Sequence, residues 1–524
     1  MVALPAVFAA GKLGCPIRCV LTREEDMISS GTRSSMLFKY KVWFNAAGDL
    51  LGLDVKLWIN AGCTMDFSCA VLERAMMHVQ NCYNIPNVRV TGWTCKTNTV
   101  SNTVYRGSGS PQATMMAEKM IREISRVLKV DYVDLIARNL YREGQKTFYN
   151  QKILNCNVER CFKECLETSN YRKRLQKVTN FNENNRWKKR GITILPTMFG
   201  AGFVPVFLNQ AGALVHVYTD GSVLLTHGGV EIGQGLHTKM VQIASRVLGI
   251  PMEKIHIAET ATDKVPNATT TSASSSSDLN GPAVIAACQK IIDRLAPYKE
   301  KFPEETWEKW VSRAYMDRIQ LSATGFFKQS DIGYDWEKNE GNAWYYFVFG
   351  AACAEVEINC LTGDHVVKRV DIVMDCGSSM NPAVDIGQIE GAFVQGYGFY
   401  TMEETLYEPN GRQITRGPSN YKIPGFNDIP EEFYVSLLTG APNPRAVYSS
   451  KAIGEPPLHL SSSVFFAIQE AIFAARQENG IQGEFEFNVP ATAARIRMAC
   501  CDKFTEMVKT NDDEDKKKYW SVQA

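Results

Sequence analysis

The chain has 524 residues, too many for one compact core, so two or more domains are expected. Its 45% hydrophobic and 22% charged content is that of an ordinary globular protein, and 57 basic against 56 acidic residues leave a formal charge of +1. That balance supplies no field to gather nucleic acid or an anionic membrane surface, and the runs WKKR (187–190) and DDEDKKK (512–518) are short enough to be solvated surface.

The opening MVALPAVFAAGKLGCP has the apolar character of a signal peptide but no basic stretch before it, and Lys12 breaks it, so a helix packed inside the fold is expected. No apolar run approaches the length of a membrane span. FKYKVWFNAAGDLLGLDVKLWIN (38–60) alternates apolar and polar residues on both sides of AAGD and predicts an antiparallel hairpin. VLERAMMH (71–78) sets Arg74 in an otherwise apolar run, either paired internally or aimed into a polar cleft. NTVYRGSGSPQ (102–112) places Arg106 before a glycine-rich turn, an arrangement suited to an anion. A helix is predicted over 111–128, with Pro111 in the tolerated first turn. Cys156, Cys161 and Cys165 run C-x4-C-x3-C, one residue off the plant-type iron–sulfur spacing and without an obvious fourth ligand, so they read as structural thiols. The 15 cysteines are odd in number and scattered through apolar surroundings, which fits a reducing compartment. The Asn-rich NFNENNRWKKRG (180–191) is the expected connector.

Beyond it, ALVHVYTDGSVLLTHGG predicts a second hairpin about Asp220-Gly221, and HTKMVQIASRVLGIP an amphipathic helix stopped by Gly249 and Pro251. A third hairpin turns at Thr362-Gly363-Asp364, and helices follow at roughly 386–404, 461–478 and 490–503. The fold class is α+β: mixed sheets with helices in two layers, and no short repeat. Three glycine- or serine-rich loops run into helices: HGGVEIGQGLHTKM (227–240), NATTTSASSSSDLNGPAV (267–284) and MDCGSSMNPAVDIGQIEG (374–391). The first lacks the glycine spacing of a dinucleotide fingerprint and of a P-loop, and composition alone reads the second as a flexible linker. Singly each is plain helix capping; together they point to one large anionic ligand, because loop-to-helix junctions present unpaired N–H groups. The seven histidines never pair at metal-ligand spacing.

One carboxylate stands apart. In SSKAIGEPPLHL (449–460) Glu455 lies between Gly454 and the pair Pro456-Pro457, which push the residue before them toward extended geometry. An acid held so stiffly is either a turn facing water or a positioned base.

The motifs FLNQAGALVHVYTDGSVLLTHGGVEIGQGLHTKMVQIASRVLGIP, DIVMDCGSSMNPAVDIGQIEGAFVQG, RGPSNYKIP and KAIGEPPL resemble the molybdenum domain of the xanthine dehydrogenase/oxidase family of molybdenum hydroxylases, to which aldehyde oxidase is related. The resemblance covers essentially the whole chain. It implies two mixed α/β subdomains, 1–150 and 151–524, enclosing a molybdopterin site in its sulfurated molybdenum form, with the metal held by the pterin dithiolene and by no protein ligand. By that resemblance Glu455 is similar to the general base, which takes the proton from an Mo–OH group as its oxygen attacks an electron-poor carbon and hydride passes to an Mo=S sulfur. Arg106, Gly233, Gln234, Ala273, Ser274, Ser275, Ser276 and Gln388 fall where the family contacts the cofactor, and Arg74 and Phe203 where it contacts substrate. The implied reaction is oxidation of hypoxanthine and xanthine to urate, with aldehyde and N-heterocycle hydroxylation or a non-catalytic remnant as alternatives.

Three departures accompany the resemblance. Ser108 replaces an aromatic of the usual R-G-F-G, and Val204 stands where purine-oxidising members often carry a hydroxyl. The chain is also expected to begin inside the domain, without the family's 2Fe-2S and FAD domains, which would be needed for electron transfer to NAD or oxygen, and without an upstream loop bearing a second acid. A cytoplasmic homodimer acting on a small molecule, with no nucleic-acid or membrane partner, completes the expectation.

Overall fold

The computed structural model describes residues 2–507 and 522–523, so the charged tail 512–518 lies outside the described residues. In chain order, α1 (Ala3–Leu13) and α2 (Arg23–Ser29) precede the hairpin β1 (Met36–Phe44) and β2 (Leu50–Gly62). Then come α3 (Ser68–Met76), β3 (Val88–Lys96), α4 (Ser110–Leu128), α5 (Tyr132–Asn139), α6 (Val158–Thr168), α7 (Tyr171–Asn184) and the long β4 (Lys188–Ala201). A second hairpin, β5 (Gln210–Val217) and β6 (Val223–His227), leads through α8 (Leu236–Leu248) to β7 (Ile255–Ile257), α9 (Ser276–Lys301), α10 (Trp307–Met316) and β8 (Ser322–Lys328). A small hairpin, β9 (Gly333–Asp335) and β10 (Glu340–Asn342), precedes β11 (Tyr346–Asn359), β12 (His365–Met374) and α11 (Pro382–Thr401). The chain continues through β13 (Leu406–Tyr407), β14 (Glu432–Leu437), α12 (Ser462–Glu478), α13 (Ala493–Ala499), α14 (Lys503–Glu506) and β15 (Val522–Gln523).

The main sheets have strand orders β1-β2-β3, β7-β6-β5-β8 and β14-β12-β11-β4. All three contain one unit: an antiparallel hairpin, a connection carrying a helix, and a third strand parallel to the hairpin's second. The connecting helices are α3, α8 and α11. A parallel neighbour requires such a crossover, whereas an antiparallel one needs only a tight turn. The recurrence is structural, with no short sequence repeat behind it. Two of the glycine- and serine-rich loops, 228–235 and 375–381, occupy the same place in their units, between the second hairpin strand and the helix.

Three apolar clusters hold these layers. One joins β2, α3 and α4 to β4 and β11, and includes residues on both sides of position 150, so the two expected subdomains share a core. The second packs β11 and β12 with α11 and α12, and the third packs β5 and β6 with α8 and α9. Pro196 lies within β4 opposite Ala351, and β4 is the edge of its sheet, where a missing N–H breaks no ladder. Helix and sheet backbones touch at two glycines: a Cβ on Gly191 of β4 would lie 1.9 Å from the Ala467 carbonyl oxygen of α12, and one on Gly325 of β8 1.9 Å from that of Ala283 in α9.

Several expectations change. Helix α1 buries none of its residues, and Leu4 and Phe8 are 78% and 72% exposed, so it is not packed inside the fold. Its apolar residues simply find no facing element among the described residues. The 180–191 segment is the end of α7 and the start of β4, because Asn182 closes the junction: its amide accepts from Arg190 N (2.7 Å) and donates to Arg190 O (2.8 Å). The serine-rich stretch becomes helical at Ser276 and keeps Pro282 inside α9. The predicted 490–503 helix is two short ones, with Asp502 accepting from Phe504 N and Thr505 N to start the second. Pro456–Glu478 is long and apolar enough to cross a membrane (mean hydropathy 1.3), but 83% of its most apolar window is buried in the protein, as befits a core helix. Cys161 and Cys165 are buried on α6, and all 15 cysteines are free thiols.

The contact at Gly191 predicts a sharp substitution cost. Gly191→Ala forces a helix and a sheet apart and should lower stability by about 1–3 kcal/mol in chemical denaturation. Gly11→Ala, where nothing lies within 4 Å, should leave stability unchanged or slightly raised.

Candidate functional site

Glu455 is 8% exposed, so its carboxylate has left water and needs donors. Oε1 accepts from Gly107 N (3.2 Å) and Oε2 from the Ser274 hydroxyl (3.2 Å), while Glu455 N donates to Ser274 Oγ (2.8 Å). Ser274 thus closes a ring on the residue, and a Cβ on Gly454 would lie 3.2 Å from its Oγ. The backbone at Glu455 is helical (φ −102°, ψ −38°) and leads into a 3-10 turn, Pro456–Ser461, ahead of α12, so it is not extended as the prolines alone imply. A proline disfavours that region for its predecessor, and here the tertiary hydrogen bonds overrule it.

Arg106, one residue before Gly107, fastens the same turn from another side. Its Nε donates to Gly454 O, its Nη1 to Gln395 Oε1 (3.1 Å), and its Nη2 to Gln388 Oε1 (3.1 Å) and Gln388 O (3.3 Å). Burial lowers the pKa of the guanidinium, and the Glu455 charge is the first to oppose that. Gln388 and Gln395 are seven residues apart on α11, two turns along one face.

The loops at the helix N-termini meet here too, but they are not equivalent. Before α8 the Glu231 carboxylate accepts from Gly233 N (2.9 Å), Gly235 N (3.0 Å) and His237 N (2.9 Å), so the chain itself occupies those donors. Gln234 bonds within its own loop, to Val230 O (2.8 Å) and from Ile232 N (2.7 Å). Before α11 the Asn381 side chain accepts from Val384 N (3.2 Å). Helix α9 differs: Ser275 precedes its first residue, Ser276, and makes no side-chain cap, while Ala273 and Ser274 take left-handed φ values of 55° and 56°. Buried ion pairs bind the segments together, Lys239–Asp385 (2.7 Å) between α8 and α11 and Lys451–Asp375 (2.6 Å) between the segment before Glu455 and the α11 loop. In the first turn of α9, burial raises the Asp278 carboxyl to about 7, and it accepts the Tyr346 hydroxyl (2.6 Å), whose oxygen in turn accepts from Ala452 N (2.8 Å).

Arg74 is buried beneath this assembly on α3. It donates to Gly200 O (3.0 Å) and Gly202 O (2.8 Å) and lies over the rings of Phe199 and Trp344. Burial lowers its pKa, and Glu455 is the leading charge that offsets this, so the two share one electrostatic neighbourhood. Phe203 is buried in the same apolar cluster as Ala273, and Val204 packs against the first cluster. Ser108 adopts φ 44° and bonds back to Tyr105 O. The structure therefore gathers Glu455, Arg106, Ser274 and Gln388 into one hydrogen-bonded set. Gly233 and Gln234 stand beside it, tied to the serine loop by Val230 N donating to Thr271 Oγ1 (2.9 Å).

Sequence reasoning missed Gln395, which its helical spacing from Gln388 marks, and Ser110, Thr197 and His459, which no spacing connects. Among the described residues no group of three or more His, Cys, Asp or Glu could hold a metal ion. Donors predominate instead: Arg106, two glutamines, serines and the uncapped start of α9. Such a set fits an anionic, acceptor-rich cofactor that carries its own metal ligands.

Comparison with known proteins agrees. Residues 1–140 and 164–430 each match a molybdopterin cofactor-binding domain. The xanthine dehydrogenase of Drosophila subobscura is 57% identical over 509 residues, 97% of this chain and 38% of that protein. The xanthine dehydrogenase/oxidase of Felis catus is 54% identical over 519 residues, 98% of this chain and 39% of the cat protein. The chain thus spans under two fifths of the length of these curated relatives. Quinoline 2-oxidoreductase from Pseudomonas putida superposes with a TM-score of 0.83 at 21% identity, covering 95% of this chain and 66% of that one, a likeness of fold. With one such match taking in just over half of its residues, the chain belongs to the molybdopterin cofactor-binding domain family.

Proposed function

We propose that this chain supplies the cofactor cradle and the catalytic base of a molybdenum hydroxylase acting on purines. The observation that carries the reading is the buried Glu455 carboxylate, held at both oxygens and flanked by Arg106, Gln388 and the open start of α9. The molybdenum cofactor, when bound, supplies the oxidising centre. The chain's residues do the rest. Glu455 accepts a proton at a carboxylate oxygen, and a positioned base of this kind is worth about 10²–10⁴-fold. Arg106 and Gln388 orient the cofactor's polar edge, with Gly233, Gln234 and Ala273 through Ser276 lining the cradle. The first cluster and Phe203 exclude water beneath it.

Arg74 and the similarity to xanthine dehydrogenases favour a purine; Ser108 and Val204 leave room for an aldehyde as the second reading. The division at 150/151, homodimer formation, a cytoplasmic location, and electron transfer through 2Fe-2S and FAD domains to NAD or oxygen belong to the same proposal.

Three substitutions test it in the holoenzyme. Glu455→Gln should keep molybdenum and pterin content near normal while turnover falls by at least about 100-fold; more than about a tenth of the wild-type kcat would remove Glu455 from the role of base. Arg106→Met removes four hydrogen bonds to two segments, the Gly454 turn and α11, and should lower pterin content itself, read by fluorescence of the released, oxidised pterin. Arg74→Met should lower kcat/KM for xanthine more than for an aromatic aldehyde, by roughly tenfold or more, since a charge-assisted hydrogen bond to the ring is worth about 1.5–3 kcal/mol. Equal losses on both substrates would make Arg74 a structural anchor of β4.

A further inference from the structure

A second buried network lies directly behind Glu455. His459, four residues further on in the 3-10 turn, is 1% exposed, and both its ring nitrogens are engaged: Nε2 with Ser110 Oγ (2.8 Å) and Nδ1 with Thr197 Oγ1 (3.2 Å). Ser110 opens α4 and has a single hydroxyl proton, which it donates to Gly107 O (2.5 Å). Its bond to the imidazole must therefore be donated by the ring, which fixes His459 as the neutral Nε2–H tautomer, with Nδ1 accepting from Thr197. Burial lowers the pKa of the imidazole well below its usual value, and the neighbouring His78, Arg74 and Arg33 push in the same direction. The chain of donors runs one way: Thr197 to His459, His459 to Ser110, Ser110 to the Gly107 carbonyl. The Gly107 N–H then points at Glu455 Oε1 (3.2 Å).

Gly107 cannot hold this position alone. It has a left-handed φ of 92° and no side chain to pack, and a Cβ would meet Pro111 at 2.5 Å. Its carbonyl is bound by the Ser110 hydroxyl and by Ser110 N (3.1 Å), and the preceding peptide unit, which carries the Gly107 N–H, is held at the Arg106 carbonyl by Arg33 Nη2 (2.7 Å). We infer that His459 is a positioning residue, which through Ser110 holds the Gly107 N–H on the Glu455 carboxylate and anchors that loop to β4 at Thr197. The inference rests on the reading of Glu455 as the base, for its catalytic consequence only; the hydrogen-bond relay stands on the geometry.

The test compares His459→Phe, His459→Gln, Ser110→Ala and Glu455→Gln in the holoenzyme, with pterin content and circular dichroism measured for each. The infrared carboxylate band of Glu455 is the one lost in Glu455→Gln. His459→Phe keeps a ring but no donor, and Ser110→Ala cuts the relay one link later. Both should shift that band and lower kcat about tenfold with KM within about twofold, since small misplacements of a catalytic group are costly. His459→Gln, whose amide presents an N–H near the imidazole Nε2, should restore the band and bring kcat to within about threefold of wild type. A band and a kcat unmoved in both His459→Phe and Ser110→Ala would overturn the inference, as would equal losses in His459→Gln and His459→Phe. If His459→Phe fails to fold or to retain pterin, Ser110→Ala decides. Full turnover in Glu455→Gln would sink the base instead, and the band shift in Ser110→Ala would still decide the relay.

Discussion

A carboxylate taken out of water must be met by donors, and much of this site can be traced to that demand at Glu455. Its donors come from distant parts of the chain: Gly107, 348 residues away, and Ser274, 181 away. Neither lies on a sheet strand; both sit at the mouth of a helix, α4 and α9. Bringing these two mouths to the Glu455 turn is a long-range task that local propensity cannot accomplish. It is accomplished by the sheets, which set where each strand ends and hence where each following loop begins.

The recurring hairpin–helix–strand unit explains why so many loops arrive together. In open sheets, ligands gather outside the ends of strands where connections diverge. Two copies of the unit place the loops 228–235 and 375–381 at such ends, and the third carries Arg74 on its connecting helix. The units are then locked by charge. Lys239–Asp385 joins two connecting helices, and Lys451–Asp375 joins a loop to the segment leading to Glu455. Breaking a buried pair by removing one partner typically costs about 3–5 kcal/mol, so these contacts specify one arrangement of the loops more than they add stability.

Much of this was legible in the sequence, for identifiable reasons. The three hairpins and the helices over 111–128 and 236–248 follow from periodicity and from turn residues such as Asp220-Gly221 and Gly249, which are local signals. Gln388 and Glu455 stood out as candidates because long motifs carry them, and Arg106 and Ser274 because each lies in a glycine- or serine-rich loop that runs into a helix. What was not legible depended on tertiary partners. Asn182 turns a polar run into a helix–strand junction by bonding both sides of Arg190. Glu455 is helical because Ser274 and Gly107 hold it so, against the preference of the proline that follows. The exposure of α1 depends on what faces it, which composition does not encode. His459 carries no signal of its own in the sequence, and only the fold sets Ser110 and Thr197 on either side of its ring.

The loops that looked alike in composition also divide by what their donors already serve. Glu231 satisfies the N–H groups ahead of α8, and Asn381 caps α11, so neither helix end offers its full set of donors to a ligand. The start of α9 has no side-chain cap and is preceded by two residues in the left-handed region, each costing roughly 1–2 kcal/mol in a residue with a side chain. Such strain persists only where the surroundings impose it. Here the imposing contact is identifiable: Ser274, in that strained conformation, is the residue that both receives the Glu455 N–H and donates to its carboxylate. One distorted loop therefore does two things at once, leaving a helix terminus open and fixing the acid beside it, which ties the place where an anionic cofactor would be held to the place where a proton would be taken.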